Sequence, residues 1–297
     1  MMQTRRRVLA LGVLIILMAG CAASHLNQAK QQYELAQLAD NPLPYYKAAL
    51  EELDDVLARE ENQWQAYALK GLIYRQLEDY EQATQHLEIA KQGTFGGQQQ
   101  WVPVVINLTY GDIFHAQATE AIRSGEWERA RDYQNTAIEF FENVISTSFS
   151  NFDTEVAAGD ELGLSMQELY LTAQARWAAA KYQMAVIGGR IDSKARQSEL
   201  IREATARLSS LVSTYPDATS LRYYLADGYR KQALTIRRTD PAESERLQEQ
   251  AMAQLRVCAE LGLSRELRNP AAQLFSTLSK GTEPEIEQKI LGTIPSR

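Results

Sequence analysis

The sequence predicts an all-α protein, a stack of antiparallel helix hairpins, and three observations carry that prediction. Chain breakers are scarce, with 16 glycines and 8 prolines in 297 residues, against about 12% in average usage. Apolar and small residues fall at helical rather than alternating spacing. One such pattern also returns after 34 residues, as in arrays where each hairpin buries its apolar face on the next.

The first element is a leader. Arg5, Arg6 and Arg7 precede an apolar run of eleven residues, Val8 to Met18. This is the pattern of a secretory signal peptide, and it is short of the about 20 residues that span a bilayer. The run closes on Met18, Ala19, Gly20 and Cys21, which resembles the lipobox of bacterial lipoproteins. The resemblance implies removal of residues 1–20 and covalent lipid such as palmitate on Cys21, with residues 21–26 as a lipidated tether. Ala22 in place of Asp implies, by that family's sorting rule, the periplasmic face of the outer membrane. Two or more acyl chains anchor stably, because each buried CH₂ contributes about 0.8 kcal/mol. An ordinary cleaved leader with an incidental cysteine is the alternative.

Charge and thiols narrow the class. The formal net charge of −7 becomes −10 once Arg5, Arg6 and Arg7 leave with the leader. That acidity argues against a nucleic-acid surface and against broad adhesion to anionic lipid. With Cys21 lipidated, Cys258 has no partner for an intrachain disulfide. It lies at helical spacing with Leu255 and Leu261 and reads as a buried small hydrophobe rather than a reactive thiol.

The repeating region opens the mature chain. Trp64 to Ala90 reads as two amphipathic helices with a turn at Leu77 to Asp79. Gly71 and Ala83 let the two backbones approach, and Tyr74, Tyr80 and Leu87 fill the volume around them. Thirty-four residues earlier, Tyr46, Ala49 and Leu53 occupy the places of Tyr80, Ala83 and Leu87. Later, Trp127, Ala130 and Ala137 repeat the spacing at an offset of 47. Ala204, Leu208 and Pro216 give a further match, followed by Ala226 and Tyr229 in the places of Gly71 and Tyr74. This spacing resembles the tetratricopeptide repeat, and the resemblance implies an α-solenoid of about five hairpins. Residues 27–146 hold the first repeats, with an inserted loop near 93–103. Residues 147–165 form an irregular connection, 166–262 hold further hairpins with overlong arms, and 263–297 form capping helices and a tail. A nonrepetitive helical bundle is the competing architecture.

No catalytic constellation is legible. His25, His86 and His115 stand in no metal-ligand spacing, and no P-loop, nucleophile-elbow or paired Cys-x-x-Cys pattern occurs. Glu51 and Asp55 lie one turn apart and read as a solvated face. The expectation is therefore no enzyme, no metal and no cofactor beyond the lipid on Cys21.

In the tetratricopeptide family the first helix of each repeat lines a partner groove. Carried onto this chain, the groove would present Gln65, Leu72, Arg75 and Gln76, then Asp112, His115, Thr119 and Arg123, then Tyr223, Asp227, Arg230 and Lys231. Arg75, Arg123, Arg230 and Lys231 would recur along one edge and clamp an acidic segment. Alternatively, as last-turn cations, they offset helix dipoles. Trp101, after Gly96-Gly97, is either an interface anchor or folded back onto the neighbouring hairpin. The expected function is a periplasmic scaffold that binds envelope proteins in assembly, secretion or cell-wall machinery. A small-ligand-binding lipoprotein associated with a solute transporter is the alternative.

Overall fold

The computed structural model describes residues 25–36, 39, 41–93, 101–150 and 166–292. The leader and Cys21 lie outside the described residues, as do most of the connection at 147–165 and the side chain of Trp101. Among the described residues every regular element is a helix. The first is α1 (25–36). Then follow α2 (Leu43–Arg59), α3 (Trp64–Gln76), α4 (Tyr80–Ala90), α5 (Trp101–Arg123) and α6 (Trp127–Ser150). The remainder are α7 (Met166–Ile191), α8 (Lys194–Thr214), α9 (Thr219–Ile236), α10 (Pro241–Leu261), α11 (Arg265–Ser279) and α12 (Pro284–Leu291). Consecutive helices pack as hairpins, α3 with α4, α7 with α8, α9 with α10 and α11 with α12.

The recurring Ala and Leu positions are buried, and Tyr46 with them. Tyr46, Ala49 and Leu53 on α2, Ala83, Leu87 and Ala90 on α4, Ala130 and Ala137 on α6, and Ala204 and Leu208 on α8 all turn inward. Small residues there set how near two helices come. A Cβ on Gly71 would stand 2.6 Å from the Leu87 side chain and 3.3 Å from the Ala83 carbonyl. One on Gly111 in α5 would strike the Phe141 ring on α6, and one on Gly228 in α9 would strike Tyr182 and Thr205. The hairpin turns repeat as well. Glu78 (φ 61°) between α3 and α4 and Gly125 (φ 78°) between α5 and α6 both sit in the left-handed region that favours glycine, and they are 47 residues apart, the offset of the two sequence patterns.

Several boundaries differ from the sequence expectation: α1 starts at residue 25, within the expected tether, and α6 runs to Ser150, into the expected connection at 147–165. Helix α5 begins at Trp101, so the end of the 93–103 stretch is helical; Pro103 is tolerated because first-turn N–H groups have no intrahelical acceptor. Helix α9 continues to Ile236, so Arg230 and Lys231 are interior residues rather than last-turn cations.

The chain divides into two compact units within α5, one ending at Thr109 and the other beginning at Tyr110. In the first, α3 packs on α4 and α2. His86 there stacks on Tyr74 (5.3 Å between centroids) and Tyr67 (6.0 Å), and its buried Nδ1 has no hydrogen-bond partner. Burial, and then the Lys70 cation, lower its pKa from 6.5 to about 4, against a smaller opposing pull from Asp54. The folded unit therefore binds fewer protons than the unfolded chain between those values, so this contribution is complete above pH 6.5 and declines toward pH 4. Urea midpoints of the wild type should fall more steeply over that window than those of His86→Phe; parallel slopes would remove His86 as the cause.

In the second unit α6 packs on α7, α8 on α9, and the first helices of successive hairpins, α7, α9 and α11, also meet. Helices α5 to α8 run 21 to 26 residues, twice the 11 and 13 of α4 and α3. The C-terminal hairpin closes a cluster in which Leu255, Cys258, Phe275 and Ile290 are buried together. Burial pushes the Cys258 thiol up to about 12, so it stays protonated. Among the described residues no helix is long and apolar enough to cross a membrane.

Candidate functional site

The expected groove residues follow different courses. Arg75, at the end of α3, donates to Gln76 Oε1 (3.1 Å). Trp101 is the first residue of α5. His115 on the same helix turns toward α6, its Nδ1 3.2 Å from the Gln134 amide. Thr119 donates to the His115 carbonyl (3.0 Å) and accepts from Gln183 Nε2 on α7 (2.8 Å). Both side chains thus join helices. Arg123 pairs with Glu120 on its own helix at 3.4 Å and is 73% exposed, where a pair contributes little. Tyr223 packs on the α9–α12 cluster with its ring 4.9 Å from that of Tyr224, and burial raises its phenol pKa.

Arg230 and Lys231 line a cavity. They stand on one wall of a cleft of about 670 Å³ between α7, the start of α8 and the end of α9. Ala185, Val186, Ile201 and Leu234 supply its apolar surface. Val186 is 45% exposed and Leu234 56%. Lys194, Arg237 and Arg238 complete the polar rim. Five cations therefore line the cleft, and no carboxylate is among its described walls. Asp227 lies one turn behind and holds Arg230 Nη2 and Lys231 Nζ, each at 2.8 Å.

Three features place these groups. Ser193 caps α8 by accepting from the Arg196 N–H (3.1 Å), which fixes the helix start and with it Lys194. Arg237 continues the helical backbone past α9 (φ −51°, ψ −33°), so Arg230, Leu234 and Arg237 share one face at i, i+4 and i+7, with Arg238 in the turn that follows. Tyr182 and Thr205, 3.3 Å apart, lock α7 to α8 beneath Gly228, where only a hydrogen fits. Sequence reasoning had Arg230 and Lys231 but missed the rest. The signal for Arg237 and Arg238 was present as a second basic pair seven residues on; Lys194, from another hairpin, gave none.

Elsewhere, His25, Glu52 and Asp55 bring three donor atoms within 4.8 Å of one another. His25 Nδ1 stands 2.5 Å from Glu52 Oε2, and exposed imidazole–carboxylate groupings of this kind are common on helix surfaces. No protein-family model and no curated protein matches the chain.

Proposed function

We propose that the protein is a noncatalytic docking subunit, held by lipid on Cys21 at the periplasmic face of the outer membrane, with tetratricopeptide-like hairpins as its scaffold. The observation that carries this reading is the cleft. It combines exposed aliphatic side chains with five cations in one concave surface, and binding sites are concave, largely apolar and carry a few placed polar groups. The lipobox-like stretch ending at Cys21 supports the anchor, and the buried recurrence of Ala49, Ala83 and Ala130 supports the repeat.

Replacement of Cys21 with Ser should move the protein from the membrane pellet to the soluble fraction, read by fractionation and immunoblot. A protein that pellets unchanged would have another anchor. In parallel, crosslinking in cells and mass spectrometry of the captured wild-type protein should return a reproducible envelope partner; if nothing rises above abundant background, the docking role fails. A second reading, a receptor for a small anionic ligand, is favoured by the cleft volume of about 670 Å³, which lies inside the range of about 300–1,000 Å³ for ligand pockets.

A further inference from the structure

From the arrangement of charge in the cleft we infer that its occupant is an extended acidic segment of a partner protein, bearing an apolar side chain between two carboxylates; this rests on the docking reading above. The decisive feature is that the cations on the α9 side are spread along the chain rather than gathered in one turn. Arg230 and Lys231 stand at one end, Arg237 and Arg238 at the other, with Leu234 between them on the face of Arg230 and Arg237. At about 1.5 Å per residue the two basic pairs are about 10 Å apart along α9. A compact anion such as phosphate would engage one pair and leave the other idle.

A strand places every second side chain on one face at about 3.3 Å per residue. Acidic residues at positions 1 and 5 therefore stand about 13 Å apart with residue 3 midway, and their side chains lean inward to close the difference. The matching pattern is acidic-x-apolar-x-acidic. Its central side chain meets Leu234 and Val186, 56% and 45% exposed, and its carboxylates accept charge-assisted hydrogen bonds from the two basic pairs. Lys194 closes the opposite rim from α8.

Two features of the chain favour this occupant over an anionic bilayer. The apolar side chains line a concave cleft between three helices, a shape that a narrow chain matches better than a flat bilayer does. The mature chain also carries a formal net charge of −10 after losing Arg5, Arg6 and Arg7, so a broad anionic surface is repelled while a short segment meets only the local cations. Asp227 does not compete for the occupant's place. It holds Arg230 and Lys231 from one side and so orients them, while Arg237 and Arg238 are exposed at the end of α9.

The test is fluorescence anisotropy of a labelled peptide, acetyl-Gly-Glu-Ser-Leu-Ser-Glu-Gly-amide, with the full lipidated protein in neutral detergent. Saturable, salt-sensitive binding is expected. It should weaken about tenfold for Arg237→Gln/Arg238→Gln and also for Leu234→Ser, and should be lost for the peptide with Gln in place of Glu. Equal affinity for the Glu and Gln peptides, or an unaffected double variant, overturns the inference. So does retention of the unlipidated Cys21→Ser protein on phosphatidylglycerol vesicles that the same cleft variants abolish, since the patch would then be a membrane contact. Partner capture in cells separates the two levels: a partner recovered equally by wild type and the double variant leaves the scaffold standing and refutes this cleft as its seat.

Discussion

Replacing Arg176 with Gln should destabilise the second unit by about 3 kcal/mol, because it removes the cation from a largely buried ionic group. Arg176 rises from the middle of α7 and reaches three neighbouring helices. Its Nε is 3.4 Å from Asp112 Oδ1 on α5, its Nη2 is 3.0 Å from both Glu266 oxygens on α11, and it hydrogen-bonds to Tyr224 on α9. The guanidinium is 19% exposed and Asp112 12%, so each depends on the other for charge compensation. Asp112 raises the Arg176 pKa against the opposing effect of burial, which keeps the guanidinium charged. Without Arg176, Asp112 loses its cation in a site that water reaches poorly, and Glu266, 53% exposed, returns to solvent at little cost. Chemical denaturation of the single variants and of Arg176→Gln/Asp112→Asn would measure the coupling. A loss below about 0.5 kcal/mol, the range of exposed pairs, would refute the assignment. Since this residue ties α7 to α9, the variant should also loosen the peptide cleft that those helices form.

Trp177, the next residue, faces the other way and carries the second large expectation. It is 2% exposed, and its Nε1 donates to Glu142 Oε1 on α6 (3.0 Å). The Arg207 guanidinium of α8 lies 4.1 Å from the ring centroid and the Lys181 ammonium 5.1 Å. Truncation to Ala removes the largest buried side chain of the unit, at about 3–5 kcal/mol. The lost cation–π contacts add about 0.5–2 kcal/mol. Phe at the same position keeps the apolar body but not the N–H donor, and should cost about 1–2 kcal/mol. If the Ala variant unfolds at the wild-type denaturant midpoint, α6, α7 and α8 do not depend on this ring.

The sequence by itself determined the helices and their pairing. Amphipathic periodicity acts within one or two turns, so Tyr80, Ala83 and Leu87 declare a buried face without knowledge of what lies opposite, and the same spacing at Tyr46, Ala49 and Leu53 declares it again. Close approach was legible for the same reason: Gly71 and Ala83 are small where neighbouring positions are large. What the tertiary structure alone decided was which polar residues meet. Arg176 and Glu266 are 90 residues apart, and Lys194 joins Arg237 at the cleft only because α8 and α9 pack at one particular rotation. That rotation is set by contacts such as Tyr182 and Thr205 over Gly228. Helical spacing states that a residue is outward, but not which neighbour it finds there, because a turn of one helix by a single residue is about 100°. His115 and Thr119, outward by pattern, were thereby taken up in helix contacts, while Arg230 and Lys231 gained the company of three cations and two exposed aliphatic side chains.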